Sequence, residues 1–321
     1  MMMAPISNDD AWTPSRLVAG LLLVATLLTL FVEFPDADNR SWASMLGSHL
    51  QSAWRWILPV MLVAGILQFL FPATVRKPKF LFYENAVDLI HILFNSLFYL
   101  TFFGIAASAT RRFLVDHTPW LIFDWAADLP LFAQALLMLL LLDFLVYWRH
   151  RFEHRISLLW PIHLIHHTSR RIDVLTTHRL HFLEVMLGGI IVGWATSVSG
   201  LSRDAISIAL LVYIHYNHFI HSNIDVRFSS PLRFILVSPF MHRWHHALDK
   251  EGHDKNFGVV FAWNDWVFGT AFHPSHEPAC FGLELDQAHE VNESWLRQQI
   301  YPFRIWVQKL AALTHIRRQV S

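Results

Sequence analysis

Residues 131–154 read LFAQALLMLLLLDFLVYWRHRFEH, an apolar run that continues directly into His150 and His154. A helix needs about 20 apolar residues to cross a bilayer. The range Leu131–Trp148 therefore predicts a membrane span. Because side chains four residues apart share one face of a helix, a helix that continues beyond this span presents two imidazoles together at the membrane boundary.

The composition of the whole chain also favours a membrane protein. Of the 321 residues, 54% are hydrophobic and 16% are charged, whereas soluble domains average about 45–50% and about 25%. Lys plus Arg and Asp plus Glu number 25 each. The chain therefore lacks the excess of positive charge that would indicate a nucleic-acid partner. Cys280 is the single cysteine, which excludes an intrachain disulfide and a cysteine-held zinc or iron–sulfur site. Any metal must be held by nitrogen and oxygen atoms.

Further apolar segments predict additional membrane helices. They are Leu17–Phe34, Trp54–Phe71, Ala86–Ser108, Leu183–Ser199 and Ile206–Ile220. Basic residues follow the spans Trp54–Phe71 and Leu131–Trp148. The positive-inside rule therefore assigns residues 73–84 and 149–182 to the cytoplasm. We predict an all-α integral membrane protein, a transmembrane helix bundle with a cytoplasmic helical cap. The lack of an endoplasmic-reticulum retrieval signal favours a bacterial inner membrane over the endoplasmic reticulum.

Histidines concentrate in one part of the chain: 14 of the 21 fall between His150 and His253. Three tight groups stand out, namely His150 and His154, then His163, His166 and His167, and finally His242, His245 and His246. Random placement gives on the order of 0.1 H-x-x-H-H matches per chain, so two matches are more than noise. Neutral imidazole is the commonest protein ligand of transition metals. The groups therefore predict a polyhistidine metal centre rather than polar surface helices.

Four other histidines have less decisive spacing. His181 fits either a metal ligand or a ring oriented by Glu184, three residues later. Along His215, His218 and His221 the direction drifts by about 60° per step, so all three cannot meet one ion. His221 at the predicted cytoplasmic face and His218 one turn deeper are the candidates. So many imidazoles exceed the four to six ligands that one ion takes, so we expect two ions. Spacing leaves Fe, Zn, Cu, Mn and Ni open.

The pattern resembles the fatty acid hydroxylase superfamily of membrane enzymes, which includes sterol desaturases and alkylglycerol monooxygenase. The family's H-x(3–4)-H, H-x-x-H-H, single histidine and second H-x-x-H-H correspond to the three groups above, with His221 as the single histidine. Flanking matches are the runs 143–148, 179–184 and 265–270. Sphingolipid hydroxylases of the family carry a histidine where this chain has Asn217. The corresponding ligand is thus open between His218, His181 and water.

The resemblance implies two iron ions (Fe²⁺) and O₂ as co-substrate, in an enzyme that hydroxylates or desaturates a lipid C–H bond. It predicts N-terminal transmembrane helices over residues 1–129, a catalytic domain over 130–272 and a peripheral C-terminal tail over 273–321. The lipid substrate is expected to enter from the bilayer. Electrons are expected from an external ferredoxin or cytochrome with its reductase, because the sequence has no dinucleotide or haem-attachment motif and no iron–sulfur cysteine set.

Buried carboxylates are expected around such a centre, since neutral imidazoles leave the charge of a metal uncompensated. The candidates are Asp143, Glu153, Glu184 and Asp265. Other functions also fit the histidines. A membrane metal transporter would need polar residues within its spans. A zinc-dependent membrane hydrolase would use Glu153 or Glu184 as general base. A bis-histidine haem protein would need facing histidines inside the spans.

Overall fold

The computed structural model describes residues 59, 61–74, 78–123, 126–284, 291 and 294–320. Within these ranges the regular secondary structure is helical, and β-structure is limited to isolated bridges such as Leu236 with Phe261. The helices are α1 (Met61–Leu70), α2 (Pro78–His117), α3 (Leu131–Arg155), α4 (Trp160–His163), α5 (Phe182–Val198), α6 (Arg203–His221), α7 (Leu232–Ile235), α8 (Pro239–His245), α9 (Trp263–Val267) and α10 (Trp295–Val320). Four 3-10 turns lie between them, at Pro119–Leu121, His166–Thr168, Thr176–His178 and Lys250–Gly252. The predicted all-α class is confirmed for the described residues.

Four of the predicted membrane spans fall within α2, α3, α5 and α6, apart from single residues at their ends. Leu17–Phe34 lies outside the described residues, and so does the first part of Trp54–Phe71, whose later part forms α1. Among the helices described above, α3 has the length and apolar composition needed to cross a membrane. Helices α1 and α5 and the segment Ala86–Asn95 of α2 are apolar but shorter. The multi-pass topology stays a prediction.

Helix α5 packs against α2 at two glycines. A Cβ atom on Gly189 would lie 2.5 Å from the carbonyl oxygen of Phe103, and one on Gly193 would lie 2.5 Å from that of Ala107. Neither position has room for a side chain. Residues four apart share a helix face, so the pair gives α5 one smooth face along which the two backbones approach each other. Small residues serve this purpose where membrane helices cross closely.

The turn between α5 and α6 is fastened to the start of α3. The backbone N–H of Ser202 donates to Oε1 of Gln134 (2.8 Å), and the Gln134 amide donates to the carbonyls of Ala127 and Leu129 (3.0 and 2.7 Å). One of the two polar residues in the apolar run of α3 therefore holds the α5–α6 hairpin in place. Helix α6 then runs back against α3 and ends at His221.

Candidate metal centre

Nine of the eleven predicted ligands converge into two groups. We call the first the five-histidine group and the second the four-histidine group. The five are His150, His154, His163, His167 and His245, and the four are His166, His221, His242 and His246. Within each group the candidate ligand nitrogens lie within 4.8 Å of one another, and each group could hold a metal ion. All nine side chains are buried except His154, which is half-buried.

In the five-histidine group, backbone carbonyls set the direction of two rings. The Nδ1 of His150 lies 2.9 Å from the carbonyl oxygen of Phe257, and that of His245 lies 2.8 Å from the carbonyl oxygen of Lys255. In a neutral imidazole, an Nδ1–H that donates leaves Nε2 with a free lone pair. The Nε2 atoms of His150, His154 and His245 are buried with no hydrogen-bond partner in the protein. Three unpaired lone pairs in one buried place fit a cation.

Asp254 and Asn256 explain how these carbonyls reach the rings. Both have left-handed backbone conformations, with φ of 57° and 55°. Asp and Asn adopt this region more readily than other side-chain-bearing residues. The turn formed by 254–257 thereby aims the carbonyl of Lys255 at His245. Histidine spacing does not predict these backbone acceptors, although Asp254 and Asn256, one residue apart after a charged loop, are a signal for such a turn.

The four-histidine group is centred on His221. Its Nδ1 lies 2.8 Å from the carbonyl oxygen of Asn217, one turn earlier in α6. Its Nε2 lies 3.0 Å from Nε2 of His166 and 2.9 Å from Nε2 of His242, and Nε2 of His246 lies 3.1 Å from the latter. With its Nδ1–H donated to Asn217, His221 turns the lone pair of its Nε2 toward the Nε2 atoms of His166 and His242, an arrangement that suits a cation.

Burial sets the protonation state of these rings. It lowers the pKa of six group members outside the predicted spans well below the usual histidine range, with the neighbouring histidines lowering it further. They are His163, His166, His167, His242, His245 and His246. Neutral imidazole is the form that binds metal. The rings are therefore in the ligand form at neutral pH.

Two buried carboxylates lie behind His163. Oε1 of Glu184 is 3.0 Å from its Nδ1, and Oε2 of Glu153 is 3.6 Å away. Arg149 lies beside both, with Nε 3.6 Å from Glu153 Oε2 and Nη2 3.8 Å from Glu184 Oε1. A carboxylate that accepts Nδ1–H fixes the ring and makes it a better ligand. Orientation of His181 by Glu184 was one of two alternatives for that histidine, and Glu184 turns toward His163 instead.

Asp143 and Asp265 act on the backbone instead of on the rings. Asp143 accepts a hydrogen bond from the N–H of Val260 (2.7 Å), and Asp265 accepts one from the N–H of Phe257 (2.8 Å). The Phe257 carbonyl is the acceptor for His150. Burial raises the pKa of Asp265 to about 6. The two carboxylates thus fasten the segment that orients a ring of the five-histidine group.

His181 belongs to neither group. It is the N-cap residue of α5, where its Nδ1 accepts a hydrogen bond from the N–H of Leu183 (3.2 Å). Its Nε2 lies 3.0 Å from the carbonyl oxygen of Gln299 in α10. Both ring nitrogens are therefore engaged, Nδ1 in capping α5 and Nε2 in joining it to α10.

His218 also lies outside both groups. Its Nδ1 is 2.7 Å from the carbonyl oxygen of Ile214, and its Nε2 is 3.0 Å from Nε2 of His178. His218 is three residues before His221 on α6, which turns the two rings about 60° apart. Its partner His178 is not among the predicted ligands.

The family match and the similar proteins all point to lipid-hydroxylating enzymes. The fatty acid hydroxylase family model matches residues 135–270. An ornithine lipid hydroxylase of Rhizobium tropici is 27% identical over 56% of this chain and 53% of its own length. Human alkylglycerol monooxygenase is 30% identical over 51% of this chain and 36% of its own length. An Arabidopsis thaliana methylsterol monooxygenase is 29% identical over 43% of this chain and 52% of its own length. No solved structure matches.

The chain thus spans about half of these relatives or less. The matched range includes all nine histidines of the two groups. It also includes the carboxylates Glu153 and Glu184 behind His163. The resemblance to the fatty acid hydroxylase superfamily, inferred from the histidine spacing, is confirmed by the family match over residues 135–270 and by these relatives.

Proposed function

We propose that this chain is a membrane-bound, O₂-dependent oxidoreductase that hydroxylates or desaturates a C–H bond of a lipid, with two iron ions as cofactor. The observation that carries the proposal is the division of nine imidazoles into two adjoining groups, each able to hold one ion. Lipid hydroxylases and monooxygenases among the relatives support the reaction class. A bound iron pair would supply the reduction of O₂ that oxidises an unactivated carbon.

The residues of the chain hold and orient such a pair. His150 and His245 are aimed by backbone carbonyls, and His163 is aimed by Glu184. Imidazoles alone leave the charge of the ions unbalanced. The carboxylates of Glu153 and Glu184 are buried close to the five-histidine group and offset part of that charge. Arg149 lies beside both carboxylates and offsets part of their own negative charge.

Apolar packing controls what else reaches the groups. Leu142 and Val146 of α3 belong to the buried core that includes Ile220 of α6 and Met241 of α8. These residues precede or lie among the histidines along their helices, so the groups are bordered by apolar side chains. A dry wall of this kind excludes water and its competing reactions. It also suits the aliphatic part of a lipid that enters from the bilayer.

The setting of the enzyme is part of the proposal. We expect several membrane spans, with both histidine groups on the cytoplasmic side, in a bacterial inner membrane. The proposed division is 1–129 for membrane helices, 130–272 for catalysis and 273–321 for a peripheral tail. Electrons come from a separate ferredoxin or cytochrome with its reductase.

Lipid analysis of cells with and without the gene tests the function. A matched strain carries His245→Gln, which removes one member of the five-histidine group. We expect lipids with one added oxygen atom or two fewer hydrogens, only with the intact protein and only in air. Unchanged lipids in all strains contradict the proposal. Zinc in the purified protein with O₂-independent hydrolysis would favour a hydrolase, and metal flux into vesicles would favour a transporter.

A further inference from the structure

Helix α10 carries an exposed apolar stripe. Its members are Leu296, Ile300, Phe303, Val307 and Leu310, with exposed fractions from 37% to 66%. The spacing alternates between four and three residues, which places all five on one face of a helix. We call these five residues the α10 stripe.

The opposite side of α10 is docked on the rest of the protein, which fixes where the stripe points. The Nε1–H of Trp306 donates to the carbonyl oxygen of Leu158 (2.8 Å), just after α3. Gln298 and Tyr301 are buried, and Nε2 of His91 lies 2.7 Å from Oε1 of Gln298. The stripe therefore stays exposed while the helix is held in place.

The charge of α10 is entirely of one sign. Residues 295–320 contain no Asp or Glu, and their cations are Arg297, Arg304, Lys309, Arg317 and Arg318. A helix that combines an apolar stripe with Lys and Arg on its polar sides is typical of segments that lie in the headgroup region of an anionic bilayer. Each cation near such a surface adds attraction.

The stripe is also continuous with the apolar helices. The ring of Phe303 stacks on Phe182, the first residue of α5, with centroids 6.1 Å apart and planes inclined by 23°. Phe182 in turn lies 5.6 Å from the ring of Phe102, in the predicted span of α2. A chain of aromatic rings thus links the middle of the stripe to helices predicted to enter the membrane.

We propose that α10 lies on the membrane surface, with its stripe inserted between the headgroups of anionic phospholipids. The positive charge of α10 and its aromatic contacts with α5, and through α5 with α2, favour a bilayer as the partner of the α10 stripe. A second copy of the chain and an acidic protein are the alternatives. The proposal does not depend on the chemistry of the histidine groups.

Site-specific fluorescence on the full-length protein tests this. The single cysteine, Cys280, is exposed and is first changed by Cys280→Ser. A polarity-sensitive dye is then attached through Val307→Cys in one protein and through Gln308→Cys in its control. Successive residues are about 100° apart around a helix, so the control samples the polar side. Both proteins are placed in nanodiscs of phosphatidylcholine with phosphatidylglycerol, and in nanodiscs of phosphatidylcholine alone.

The proposal expects a blue-shifted Val307→Cys label, quenched severalfold more by doxyl-labelled lipid than the Gln308→Cys label and less by iodide. The difference should shrink in nanodiscs without phosphatidylglycerol. Equal iodide access at both positions overturns the proposal. Protection of the Val307→Cys label without lipid quenching also overturns it and indicates a protein occupant. Energy transfer between chains at rising concentration would identify a second copy.

Discussion

Oε1 of Glu184 lies 3.0 Å from Nδ1 of His163, although 21 residues separate them in the sequence. Glu184 stands in the first turn of α5 and His163 ends α4. The carboxylate therefore couples the position of α5 to the direction of a ring in the five-histidine group. Because Nε2 of His163 faces His167 at 3.2 Å, a rotation of the ring would displace a candidate ligand atom.

Replacing this carboxylate by Glu184→Gln should weaken metal binding. The amide keeps the size of the side chain but loses the charge that strengthens the imidazole as a ligand. Loss of such an orienting group typically lowers metal affinity about 10–100-fold. Iron retained against a competing chelator measures the effect. Glu284→Gln, at an exposed position, is the matched control and should bind iron like the unchanged protein. Equal retention by both variants would contradict the assigned role of Glu184.

Two histidines of α6 offer a comparison within one turn of helix. His221→Gln should remove one of the two ions, because His221 is central to the four-histidine group. His218→Gln should keep both, because His218 pairs with His178 outside the groups. Metal per chain in the purified proteins, by elemental analysis, measures this. A loss of metal in His218→Gln equal to that in His221→Gln would mean that His218 is a ligand.

The local pairs of the metal centre could be predicted from spacing, because three or four residues bring imidazoles to one face. The partition between the two groups could not. His166 and His167 are neighbours in sequence but enter different groups, and His245 and His246 do the same. The division into two groups depends on which histidine rings contact each other between different segments, such as α3, α6 and α8. These are tertiary contacts that no single segment encodes.

The roles of polar residues within apolar helices could likewise be predicted only in part. Gln134 stands out in the sequence of α3, yet only the fold reveals that it holds Ser202 at the α5–α6 turn. Glu184 follows His181 by three residues, and spacing allowed that pair as one of two alternatives for His181. The N-capping role of His181 draws its ring toward Leu183 and leaves the carboxylate to another partner. Local periodicity predicted the helices, whereas the partners of buried polar groups required the packed structure.

The close contact between α2 and α5 predicts that the same substitution has different effects on stability at two glycines. Gly193→Ala should destabilise the protein by about 1–3 kcal/mol, as overpacking of tight contacts does. A Cβ there meets the Ala107 backbone at 2.5 Å. Gly104→Ala should be neutral or slightly stabilising, because alanine favours helix and nothing lies within 4 Å of its Cβ. Thermal unfolding in detergent compares the two. If Gly193→Ala unfolds no earlier than Gly104→Ala, the tight α2–α5 contact is absent in solution.

The buried histidines predict loss of stability and of metal in acid. Burial lowers the pKa of His163, His242 and His245 in the folded state, whereas the unfolded chain titrates near the ordinary value. Below a pH of about 6.5 the unfolded state therefore binds more protons than the folded state, and stability rises with pH through that range. The stability that comes from these neutral rings is fully present above about pH 7 and falls as the pH drops. Protonated rings also cannot bind metal.

The unfolding temperature should accordingly decline between about pH 7 and pH 5, where the histidines of the unfolded chain take up protons, and iron should be lost as the chain unfolds. The exposed His253 supplies the control: His253→Gln should leave both profiles unchanged, because this ring belongs to neither histidine group. Profiles that stay flat over this range would mean that the nine rings are not buried as neutral imidazoles. Iron loss without any change in unfolding would separate the two effects and assign the pH dependence to ligand protonation alone.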